Sequence, residues 1–213
     1  MSLFPLPSLR LVNLGVLGEE LSGLRAAGIT EVYVDIADGV FVREFGFCAG
    51  MVRAIRDIGG PVCAAHLRMQ TPEPHIERLV AAGCGGITVH VETCKHAHRT
   101  LGHIRACGAM PGIAINPGTA LTKLEYLLPE AERVLVLTSE PGLPGRALTP
   151  MALERVRLLG ESIRYRKLKT RIFVAGTFSI EDLARFYHLG ATGAVLGPDG
   201  PLRRRDGETW LDA

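Results

Sequence analysis

Three things are scarce in this chain. Charge of one sign is the first. Lys and Arg number 24 against 22 Asp and Glu, a formal net charge of +2. So even a balance argues against a nucleic-acid partner. Paired cysteines are the second. The five cysteines, Cys48, Cys63, Cys84, Cys94 and Cys107, are odd in number and form no C-x-x-C. That excludes a disulfide scaffold and predicts a reduced, cytoplasmic protein. Long apolar runs are the third. None approaches the roughly 18 residues of a membrane span, and "MSLFPLPSLR" lacks the basic-then-apolar order of a signal peptide.

What is present is a regular alternation of short apolar runs and longer amphipathic ones. The strand candidates are "LPSL", "EVYVDI", "VCAAH", "GITVHV", "GIAIN", "RVLVLT", "RIFVAG" and "GAVLG". Between them lie seven helix candidates: "GVLGEELSGLRAAG", "CAGMVRAIRDIG", "PEPHIERLVAAGC", "KHAHRTLGHIRACG", "ALTKLEYLLPE", "TPMALERVRLLGESIRYRK" and "SIEDLARFYHLG". Several close on glycine, the residue suited to the left-handed position after a helix. "SIED" reads as a capping box, with Ser179 as cap and Asp182 three residues on.

Alternation of this kind indicates an α/β fold. A doubly wound open sheet is compatible with it. Eight units in 213 residues favour a single-domain (β/α)8 TIM barrel over residues 1–213. After the eighth strand the chain reads "PDGPLRRRDGETWLDA", a polar tail (198–213) without a helical apolar stripe. The eighth helix is therefore expected to be truncated or missing. The flank left open there favours a homo-oligomer. The basic runs "RYRKLKTR" (164–171) and "LRRRDG" (202–207) read as a solvated helix end and tail.

In such barrels chemistry sits at the C-terminal ends of the strands. The polar residues there are Ser8, Asp35 and Asp38, His66, His90 and Glu92, Asn116, the "TSEPGLPG" loop, "VAGTF" and "LGPDG". Asp35 and His66, from neighbouring strands, can share a proton or a divalent metal. Asp38, just before Gly39, suits a turn. Glycines in the last loops can offer backbone N–H groups to phosphate.

The order of these motifs resembles the ribulose-phosphate 3-epimerase family. The resemblance rests on "PSLRLVNLGVLGEEL", "VDIADGVFV", "HLRM", "ITVHVET", "INPGTAL", "LVLTSEPGLPG" and "VLG", over roughly residues 7–197. It implies a phosphate-binding barrel that inverts the carbon beside the ketone of a sugar phosphate. It also implies two aspartates acting on opposite faces and a divalent metal (Zn, Mn or Fe) held by them and two histidines. By the resemblance, Asp35 and His66 are catalytic and are metal ligands. Ser8, Asn116, Glu140, Gly142, Gly145, Arg146, Gly176, Thr177 and Gly197 line the substrate.

The chain departs from the family at the chemistry. Tyr33 stands where the family has its other metal histidine, and Ala175 where it has the second aspartate. Asp35 and His66 alone predict weak metal binding or none. Tyr33 either donates a proton or fills the space of the lost histidine. Pro144 and Pro198 each remove a backbone donor from the phosphate loops. Arg146 either returns charge to an anion site or lies on the surface. Two functions follow: an epimerase or isomerase with altered chemistry, or a silent barrel that binds a phosphorylated ligand or a partner subunit. "DIAD" lacks the lysine of the "D-x-K" in aldol and decarboxylating relatives, which counts against them.

Overall fold

The computed structural model describes residues 3–140 and 148–197. All eight expected strands are present: β1 Phe4–Pro7, β2 Glu31–Ala37, β3 Val62–Arg68, β4 Cys84–His90, β5 Met110–Ile115, β6 Arg133–Leu137, β7 Arg171–Ala175 and β8 Gly193–Leu196. They pair in parallel in the order β1-β8-β7-β6-β5-β4-β3-β2. An isolated parallel bridge between Ser8 and Tyr33 joins β1 to β2, so the sheet rolls into a nearly closed barrel. Among the described residues no helix is long and apolar enough to cross a membrane.

Among the described residues six α-helices lie between the strands: α1 Leu17–Ala26, α2 Ala49–Asp57, α3 Ile76–Ala82, α4 Ala97–Ala106, α5 Ala152–Tyr165 and α6 Ile180–His188. The capping box at Ser179 is formed in both directions. Gly83 and Gly190 follow their helices with φ of 108°, which a side chain rarely tolerates. One expectation fails. "ALTKLEYLLPE" makes only a 3-10 turn over Leu121–Leu124. Its cap, Ala120, is extended and offers no side-chain hydrogen bond. Pro129 then stops any continuation, since it brings no N–H. Leu124 and Leu128 are buried all the same. The expected truncation of the eighth helix falls on 198–213, outside the described residues.

The pleat sorts side chains onto two sides. Val32, Val34, Ile36, Ala65, Leu67, Ile87 and Val89 join the large cluster that takes in the helices. Leu6, Tyr33, Ala64, Ala114, Leu135, Phe173 and Val195 form a second, smaller cluster. Below it, Arg133 pairs with Glu31 at 2.7 Å and stacks 4.1 Å over Phe173. Above it, the same alternation puts Asp35, His66 and His90 at the C-terminal end.

Candidate active site

Register brings the polar strand ends together. Asp35 pairs with His66 across β2 and β3, and Tyr33 with Ala64 one pleat below. Tyr33 is 5 % exposed, and its hydroxyl hydrogen-bonds His66 Nδ1. His66 Nε2 lies 2.9 Å from His90 Nε2. His90 Nδ1 lies 3.0 Å from Glu92 Oε2, and Glu92 Oε1 accepts from the Asn116 N–H at 2.8 Å. The Phe41 ring packs on His90 at 4.6 Å.

Donor and acceptor roles along this chain follow from Glu92. A carboxylate only accepts, so His90 Nδ1 carries a proton. Burial pushes His66 down to about 4, against the pull of Asp35. It also lowers His90, against Glu92. With both rings neutral, His90 Nε2 accepts and His66 Nε2 donates. His66 Nδ1 is then left to accept from the Tyr33 hydroxyl. Burial first, and the Asp35 charge second, push the Tyr33 phenol well above its ordinary value. It is a donor here. Burial works to raise Glu92, but hydrogen bonds from His90, Thr119 and Asn116 hold it at about 2.

Asp35 sits on the other flank. Its Oδ1 is 3.4 Å from His66 Nδ1 and 3.5 Å from Arg68 Nη1. Arg68 is also inward on β3, two residues past His66, and 7 % exposed. The same Nη1 reaches Glu44 Oε1 at 2.6 Å, and Glu44 is held in turn by Arg10 at 3.2 Å. Burial works to raise the Asp35 carboxyl. The His66 ring beside it first, and then the guanidinium charges of Arg68 and Arg10, work to lower it and prevail. Asp35 is therefore ionised near neutrality.

The other expected residues divide. Ser8 is buried at the seam and accepts from the Arg10 N–H. Asn116 Oδ1 is buried with no hydrogen-bond partner among the described residues, while its carbonyl accepts from Arg155 Nη2 at 3.0 Å. Gly176 abuts Thr138, whose hydroxyl oxygen would lie 2.2 Å from an added Cβ. Thr177 and Gly197 are half-buried and Glu140 is exposed. Gly142, Gly145 and Arg146 lie outside the described residues. Asp38 is a turn residue, accepting from the Val40, Phe41 and Gln70 N–H groups.

A sequence profile described as the ribulose-phosphate 3 epimerase family matches residues 6–199. The chain belongs to the ribulose-phosphate 3-epimerase family. A ribulose-phosphate 3-epimerase from Synechocystis sp. is 34% identical over 193 residues, 90% of this chain and 84% of that protein. One from Rhodobacter capsulatus is 36% identical over 166 residues, 78% of this chain and 72% of that protein. Among solved structures, a tryptophan synthase α-subunit variant from Pyrococcus furiosus superposes with a TM-score of 0.66 at 18% identity, covering 93% of this chain and 87% of that one. That likeness shows the fold alone.

The donors at the barrel mouth do not fit the family's metal. A tight site takes three or four protein ligands. By the resemblance, Tyr33 and Ala175 stand at two of the four positions. The third, His66, has its Nδ1 occupied by the Tyr33 hydroxyl. The fourth, Asp35, is paired with a guanidinium. Among the described residues, one Glu/His/Cys group comes within ligand distance, Glu77, His103 and Cys107. It lies on the outer ring, with Glu77 on α3, His103 on α4 and Cys107 just after α4.

Sequence reasoning missed Arg68, Glu44, Arg155 and Phe41. A signal for Arg68 existed: period two on β3 places it on the same side as His66.

Proposed function

We propose that this epimerase-family barrel abstracts the proton next to the carbonyl of a ketose phosphate, with Asp35 as the base. The observation that carries the reading is an ionised aspartate at the mouth of the barrel, only 13 % exposed along its side chain, with a fixed guanidinium beside it. The Asp35 carboxylate takes the proton. The C–H electron pair becomes the C=C of an enediolate, and the carbonyl oxygen becomes an oxyanion. The Asp35 carboxyl exchanges its proton with solvent, and return of a proton from it to the same carbon restores the ketone. Tyr33, His66, His90 and Glu92 hold their hydrogen bonds throughout and wall one flank of Asp35, while Arg68 pairs with its carboxylate. Ser8, Asn116, Gly176, Thr177 and Gly197, with Gly142, Gly145 and Arg146, are the residues we assign to the sugar and its phosphate.

On the opposite side β7 ends in Ala175, where the resemblance calls for the second aspartate, and no carboxylate takes its place at that position. The proton therefore returns mainly to the face it left, and exchange with solvent outruns inversion. The test is ribulose 5-phosphate and a ketohexose 6-phosphate in deuterated water. Deuterium should appear beside the carbonyl, and Asp35→Asn should slow it by roughly 10²–10⁴-fold. The Ala175 position also favours a second reading, a silent barrel that only binds phosphorylated ligands. No exchange at protein concentrations close to substrate would select that one.

A further inference from the structure

The mouth of this barrel has a buried cation of its own. We infer that Arg68 is a catalytic residue that stands in for the family's divalent metal, binding the two oxygens of the enediolate. The inference rests on the proton-abstraction reading for its substrate, but its geometry is independent of it.

Arg68 projects from the last residue of β3, inward, and its side chain is 8 % exposed. Its contacts with described residues run through Nη1 alone, to Glu44 and Asp35. A guanidinium has five N–H donors in a planar fork. Those on Nε and Nη2 have no partner among the described residues, and they are not among the buried unsatisfied atoms. These are the donors assigned to the ligand. The two vicinal oxygens of an enediolate lie in one plane, a shape the fork meets with two parallel hydrogen bonds.

The group is also fixed before substrate arrives. Glu44 holds Nη1 at 2.6 Å, and Arg10 holds Glu44 from the other side. Donors set in advance, in a site with little water, stabilise developing charge best. The same guanidinium works against a metal. It lies 3.5 Å from the Asp35 oxygen that a divalent ion would need, and it repels that ion.

The test combines three readouts on the full chain, wild type and Arg68→Met, with Arg68→Lys as a second variant. The first is deuterium exchange into ribulose 5-phosphate with chelator, with Mn²⁺ and with Zn²⁺. The second is Zn²⁺ binding by calorimetry. The third is binding of oxalate, a planar dianion that mimics the enediolate oxygens, with chelator present. Wild type should exchange deuterium equally well in chelator and in either metal, and bind Zn²⁺ no better than the Asp35→Asn variant. Arg68→Met should slow exchange and weaken oxalate at least about tenfold, the lower range for charge-assisted hydrogen bonds. Arg68→Lys keeps the charge without the fork and should weaken oxalate less than Met but measurably. If Met does not fold, the Lys variant decides by the same oxalate measurement.

Exchange abolished by chelator and restored by Mn²⁺ or Zn²⁺ would overturn the inference. So would exchange and oxalate binding unmoved in a folded Arg68 variant, or no oxalate binding by wild type. Oxalate binding that depends on Arg68, with no exchange in wild type, would sink the proton-abstraction reading and the catalytic role together, and leave Arg68 only as the anion-binding residue of the mouth.

Discussion

Tyr33 shows how one substitution can serve packing and polarity together. Its ring belongs to the barrel's inner cluster, and its hydroxyl satisfies His66 Nδ1. Both readings offered by the sequence concern this residue, and the buried, paired hydroxyl favours the one in which the ring fills the lost histidine's space. Tyr33→Phe keeps the ring and strands a buried nitrogen. It should cost about 1–3 kcal/mol in urea unfolding. Tyr33→Ala also opens a cavity and should cost about 3–5 kcal/mol. Equal stability of wild type and Tyr33→Phe would mean the hydroxyl has no partner. The histidines carry a pH signature of defined sign. His66 titrates at about 4 when folded against 6.5 in a free chain. Below 6.5 the unfolded chain takes up a proton that the folded one refuses. Stability is therefore full above about 6.5 and falls as pH drops towards 4. Glu92, at about 2 against 4.5, adds a second loss only between 4.5 and 2. Urea midpoints should fall between pH about 7 and about 5. A flat profile over that window would contradict a buried neutral pair.

At the scale of elements, the site is three adjoining strand ends and one loop. Asp35, His66, His90 and Glu92 were legible because a strand's period of two carries its apolar run straight into its polar end. Asn116 was legible for the same reason. Arg68 was passed over, because a lone arginine closing an apolar run has the look of a solvated end, although the same period of two places it inward beside His66. Glu44 sits in a loop with no period at all. It is placed by Asp38, which ties the loop to β3 through the Gln70 N–H, and by Gly46, whose neighbours close against β2. An added Cβ at Gly46 would meet Ala37 N and Asp35 O at 2.5 Å, and both are backbone atoms. Gly46→Ala should therefore lift the loop, withdraw Glu44 from Arg68 and cost on the order of 1–3 kcal/mol. Thermal unfolding checks the stability, and the deuterium-exchange rate checks the site. An unchanged melting temperature would show that the loop does not lean on β2 there. The failed helix at 120–130 has the opposite cause. Its leucines sit at helical spacing, but the cap and Pro129 allow only a turn.

At the scale of the whole molecule, the barrel is legible in the order of eight short apolar runs, and its closure is not. β1 is paired along its length with β8, whereas a single bridge from Ser8 to Tyr33 joins it to β2 among the described residues. The seam should be the first part of the sheet to open. Native-state hydrogen exchange should find the β2 amides that face β1 less protected than those of β3 to β5. Equal protection would mean the ladder continues across the seam. The barrel's function turns on an asymmetry. One side of the mouth carries an ionised carboxylate beside a cation, and the other ends in Ala175. The most direct test follows ribulose 5-phosphate in deuterated water with chelator present, and reads isotope uptake and formation of the C3 epimer in the same sample. Uptake that exceeds inversion at least about tenfold, and is lost on Asp35→Asn, is the predicted result. Inversion that keeps pace with uptake, or uptake that survives Asp35→Asn, would contradict it.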